Sequence, residues 1–208
     1  MKTAAPQATV TIAVATAVSY ALVTLFARDQ SAAFLGGFVP ARLDGLRIAG
    51  ALPAWITPLS ATLLHGGLLH LGFNLVMLVY CGREDEVALG PAGVGVLYVV
   101  GAFAAAAGQY AVSPHSATPM IGCSGAVSAL VGAYAILYGQ RRPSKLPPEV
   151  ARWIHVLWLA AAWIALQLLL SLGGAFEGVN IAAAAHVGGF LAGLILARPL
   201  LRWRYRRA

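Results

Sequence analysis

The chain has 208 residues, 60% of them apolar and 10% charged, with a formal net charge of +7. A water-soluble domain of this length carries roughly a quarter charged residues, so too few polar side chains are present to coat a surface facing water. The basic excess sits at the ends of apolar runs, where long side chains snorkel towards anionic headgroups, and this argues against nucleic acid as its partner.

Five stretches carry no charge: Thr3–Ala27, Ile48–Gly82, Val87–Gln140, Trp153–Phe176 and Gly178–Ala197. About 20 mostly apolar residues are needed to cross roughly 30 Å of hydrocarbon. The first run is long for a signal peptide and has one Lys before it, so it reads as a span. Pro53 and Pro58 push the second helix to the end of its run, and the cluster from Ser113 to Pro119 divides the third run in two. The prediction is an all-α membrane protein, one six-helix domain over 1–208, with helices near 8–27, 66–83, 92–111, 123–140, 152–172 and 181–201. The outer connection from Arg28 to Leu64 is long and apolar, and reads as a segment lying in the membrane interface. With the N-terminus inside, inner segments hold eleven Lys and Arg and outer ones only Arg28, Arg42 and Arg47. That asymmetry puts both termini in the cytoplasm. Cys81 and Cys123 fall most of a bilayer apart, which rules out a disulfide between them.

Ionisable side chains within spans mark function by default. His70 and His186 stand in apolar helices near the outer face, whereas His155 lies at an interface and His115 in a loop. Gly122-Cys123-Ser124-Gly125 follows a Pro-rich loop, which puts Ser124 at a helix N-terminus, where N–H groups and the dipole favour negative charge. Alone, such a string is a packing motif more often than a nucleophile. Asn74 lies one turn after His70 on the same face, an arrangement open to an interhelical hydrogen-bond pair as well as to oxyanion donors. Ala185, Gly189 and Gly193 form a small-residue stripe on the last helix, and Gly122, Gly125, Ser128, Ala129 and Gly132 supply another on the fourth. If these stripes pack together, Ser124 meets His186. His65 and His70 are five apart with no carboxylate beside them, so no metal is expected.

His65-x4-His70-x3-Asn74, then Gly122-Cys123-Ser124-Gly125, then Ala185-His186-Val187-Gly188-Gly189-x3-Gly193 resemble, in order and spacing, the three signature blocks of rhomboid proteases. The likeness runs from about Trp55 to Gly193. It implies an intramembrane serine endopeptidase with no cofactor, cutting transmembrane segments of other proteins within the lipid bilayer. Ser124 would be the nucleophile and His186 its base. His70, Asn74 and the amides of Cys123 and Ser124 would hold the oxyanion. His65 would organise the outer loop, Glu86, followed by Gly90, would be structural, and Phe73 with Trp163 would flank the substrate's path. Short tails and no organelle-targeting segment point to a bacterial inner membrane.

Two features depart from the pattern. Ser128 stands where the family has an aromatic packed on the catalytic histidine, and the loop's Trp-Arg pair is missing, with Arg47 nearest its place. An inactive rhomboid-like escort protein would lack the serine or histidine, and both are present. A small transporter would show repeat symmetry and helices broken at mid-membrane, and neither is visible.

Overall fold

The computed structural model describes residues 6–26, 29–138, 146–172 and 182–206, with the backbone alone for 29–30 and 167–172. Lys2, Arg28, Arg141, Arg142, Lys145 and Arg207 lie outside these residues, as do the predicted helix ends at 27, 140 and 181. The described chain is helical apart from loops and a single antiparallel bridge between Phe38 and Met120.

Helix α1 (Gln7–Phe26) is uncharged. Val10, Val14, Val18 and Leu22 recur every fourth residue and are exposed, a stripe suited to lipid, while Thr9 and Thr16 are fully buried. The connection that follows is a folded layer. It holds α2 (Asp29–Gly36) and the single turn α3 (Thr57–Ser60) between 3-10 turns. Tyr110 donates to Asp44 at 2.7 Å, and Arg42 reaches the Leu52 carbonyl at 2.7 Å. Arg42, rather than the exposed Arg47, is therefore the basic residue built into this layer.

The second and third predicted helices follow one another as two helical limbs, together α4 (Leu68–Val112), separated at Gly90, whose backbone (φ 76°, ψ 169°) is not helical, before Pro91. Each limb is about 33 Å long, enough to cross hydrocarbon. The first limb runs past the predicted helix end at 83 through the charged residues 84–86. Glu86 finds partners there, whereas both carboxylate oxygens of Asp85 are buried without a hydrogen-bond partner among the described residues. The Glu86 carboxylate accepts from the Ala8 and Thr9 amides, both at 2.9 Å, and from the Thr9 hydroxyl at 2.7 Å. It thereby caps the start of α1. Pro91 has no N–H to give the Val87 carbonyl, so Arg204 donates to it instead, at 2.6 Å, and to the Glu86 carbonyl at 3.2 Å.

Three helices complete the bundle: α5 (Ser124–Tyr138), α6 (Pro148–Leu172) and α7 (Ala183–Arg204). Among the described residues, α1, α4, α6 and α7 are long and apolar enough to cross a membrane. The described part of α5, about 22 Å long, is buried from Ser124 to Ala133. Helix α6 begins four residues before the predicted 152, because Pro148 suits a first helical turn and Glu149 there binds Arg152 at 2.7 Å.

Glycines set the seams around α5. A Cβ on Gly189 would strike the Gly125 carbonyl oxygen, and one on Gly193 the Ala129 carbonyl oxygen. Gly188 meets the Ala104 carbonyl of α4 in the same way. Lipid offers helices no hydrophobic reason to associate, so backbone contact of this kind supplies the attraction. Gly193→Ala should lower stability by about 1–3 kcal/mol through overpacking. Gly95→Ala, with open space around it, should leave stability unchanged or raise it. Thermal unfolding of the two variants in detergent checks the contrast.

Candidate active site

Three helix N-termini converge at one end of the bundle. His70 lies in the first turn of α4, Ser124 opens α5 and His186 lies in the first turn of α7. Each leaves amide groups without intrahelical partners and adds the positive end of its dipole, so developing negative charge is favoured here. The sequence pointed to this effect at Ser124 alone.

The α5–α7 seam brings Ser124 Oγ within 2.8 Å of His186 Nε2. Both residues are buried. The Gly189 contact on the Gly125 carbonyl places this pair, because it lies one residue after Ser124 and one turn after His186.

Gly122 shapes the approach to Ser124. Its φ of +107° lies in the left-handed region, and a Cβ there would sit 2.6 Å from His70 Nε2. The turn is held by the Gly122 amide donating to the Ala61 carbonyl at 2.9 Å. His65 and His70 meet edge to face with ring centroids 5.0 Å apart. Burial, and then His70, hold His65 well below its ordinary pKa, at about 3. The neutral His65 ring accepts the Cys123 amide at 3.4 Å. Of the four oxyanion donors read from the sequence, the Cys123 N–H is thus engaged with His65, while Ser124 sits in the first turn of α5. Asn74 Nδ2 donates one hydrogen to the His70 carbonyl at 2.9 Å, and the amide has a second. His70 Nδ1 accepts a long bond from Gly66 at 3.4 Å.

The two residues expected along the substrate's path stand in different places. Phe73 is 36% exposed on α4, whereas Trp163 is 4% exposed within the bundle. Trp163 donates from Nε1 to Ser128 Oγ at 2.8 Å, and its ring meets the His186 ring edge-on at 6.4 Å. Sequence spacing gave no sign of the Ser128–Trp163 bond. Glu86 is at the far end of the first limb of α4, about 24 Å from His70. Both cysteines are free. No group of three or more metal-ligating side chains converges among the described residues.

Comparison with known proteins covers most of this architecture. A family model described as Rhomboid domain matches residues 53–203. A protein named rhomboid protease GlpG from Serratia proteamaculans is 37% identical over 140 residues, 66% of this chain and 45% of that protein. Relatives of the same name from Pectobacterium atrosepticum and Yersinia pseudotuberculosis are each 36% identical over 140 residues, covering 46% and 45% of their lengths. The chain thus spans less than half the length of these relatives.

Gly122→Ala should destabilise the protein by about 1–3 kcal/mol, since it adds backbone strain to an overlap with the His70 ring. Gly72→Ala, within α4 with nothing within 4 Å, should not. Chemical or thermal unfolding of the pair measures the difference.

Proposed function

The chain belongs to the rhomboid family of intramembrane proteases, and we propose that it hydrolyses peptide bonds in or near transmembrane segments of other proteins through a Ser124–His186 dyad. The observation that carries this reading is the 2.8 Å contact between Ser124 Oγ and His186 Nε2 in a buried site ringed by helix N-termini.

In this mechanism Ser124 Oγ attacks the scissile carbonyl carbon while His186 Nε2 takes the hydroxyl proton. The oxygen of the tetrahedral intermediate becomes negative. The Ser124 amide, the second Asn74 N–H and the His70 ring are the proposed donors to it. Collapse breaks the C–N bond, and His186 returns its proton to the leaving nitrogen. Water then attacks the acyl-enzyme as His186 takes its proton, the Oγ–C bond breaks with that proton returned to Ser124 Oγ, and the acid product leaves. Low dielectric around the dyad strengthens each of these interactions. Among the described residues the His186 ring is hydrogen-bonded to Ser124 and not to a carboxylate, and packing supplies the rest of its orientation. Substrate is proposed to come laterally from the bilayer past Phe73, and water from the loop side, where the helices begin. The eleven-to-three distribution of basic residues supports cytoplasmic termini, and the relatives' bacterial origin supports a bacterial cell membrane.

A fluorophosphonate probe tests the nucleophile directly in detergent-purified protein. Wild type should label, and Ser124→Ala and His186→Ala should not, with all three folded. Labelling that persists in Ser124→Ala removes the mechanism. Asn74→Ala should reduce cleavage of a single-span membrane reporter by about two to three orders of magnitude.

A further inference from the structure

The family's aromatic brace for the catalytic histidine is missing from α5, yet His186 is not left unbraced. Ser128, fully buried, brings no ring to that place. Trp163 comes from α6 and places its edge against the imidazole, with ring centroids 6.4 Å apart and planes at 72°. Its indole N–H donates to Ser128 Oγ at 2.8 Å, and the Ser128 hydroxyl donates in turn to the Ser124 carbonyl at 2.7 Å. The relay uses the donor and one acceptor site of the hydroxyl, and it satisfies the one polar group of the buried indole. It also runs from the helix carrying the ring to the backbone of the nucleophile itself.

We propose that Trp163, latched by Ser128, is the positioning residue that holds the His186 imidazole on Ser124, so that the dyad is aligned only while α6 is docked on α5. The inference rests on the reading of Ser124 and His186 as a hydrolytic pair. It gives Trp163 a different role from that of a residue lining the substrate's path. Phe73 is exposed to lipid on α4, whereas Trp163 is buried and points at the base. A serine that would be a defect in a single helix becomes half of a contact between two helices. Displacing α6 would break the indole bond and remove the imidazole's wall in one step.

The experiment compares two reactions of the full chain in detergent, each normalised to folded protein. One is the labelling rate with a small fluorophosphonate, which needs no helix to move aside. The other is cleavage of a single-span membrane reporter. Ser128→Ala and Trp163→Phe should each slow both reactions about three- to tenfold, the loss of one buried hydrogen bond. Trp163→Ala should slow both further, and Ser128→Tyr in the Trp163→Ala background, which returns a ring to α5, should recover labelling. A structural role alone would lower the unfolding midpoint without slowing labelling per folded molecule, and no ring on α5 would rescue it. If Trp163→Ala does not fold, Trp163→Phe, which retains a ring and removes the N–H, decides. Labelling at the wild-type rate in Trp163→Phe and Ser128→Ala, whatever happens to the reporter, overturns the proposal and leaves the dyad standing. A folded wild type that does not label overturns both.

Discussion

At Gly189 and Gly193 the backbone of α7 rests directly on carbonyl oxygens of α5, and much else in the bundle follows from that contact. It fixes the spacing of the two helices at a value only glycine permits. It brings Ser124 and His186 within one hydrogen bond of each other. It also leaves α5 enclosed by its neighbours from Ser124 to Ala133. A side chain of even one carbon at either glycine would push apart backbones that have no other way to yield.

The polar groups inside this shell follow a different logic from those of a soluble core. The outer surface is Val, Leu and aromatic, and the interior holds His65, His70, Asn74, Ser124, Ser128 and His186. Such groups are costly in hydrocarbon unless they find one another. Here they do so across helix boundaries, from His65 to Cys123, Ser124 to His186 and Trp163 to Ser128. The network that supports the proposed chemistry is thus also what joins the loops and helices around the site. Loss of any member is felt both as packing and as geometry.

The long uncharged runs disclosed the helices, since hydrocarbon thickness imposes length and apolarity on any span. The small-residue stripes disclosed which two helices touch, because close backbone contact needs a periodic absence of side chains. Three features were less legible. The predicted helix stops at 83 before the charged residues 84–86, and only the fold shows that the helix continues through them, that Glu86 caps α1 and that Arg204 replaces the donor Pro91 lacks. Arg47 looked like the loop's basic residue by position, but Arg42 has the Leu52 carbonyl within reach. Ser128 looked like a gap. Its partner lies 35 residues away on another helix, and no local period connects the two.

Glu86 also has a consequence for how the protein is made. Its side chain holds the start of the first helix, and its carbonyl receives Arg204 from the end of the last. A nascent chain emerges from the ribosome in order, so α1 must wait for a capping residue made 77 positions after Thr9, and the break at Gly90 waits longer still for Arg204. The clasp therefore closes only once Arg204 has been made. His186 arrives just ahead of Arg204 on the same helix, so assembly of the active pair and closure at the opposite face belong to one late event. A product stalled before His186 would enter the bilayer without the Ser124–His186 contact and without its clasp.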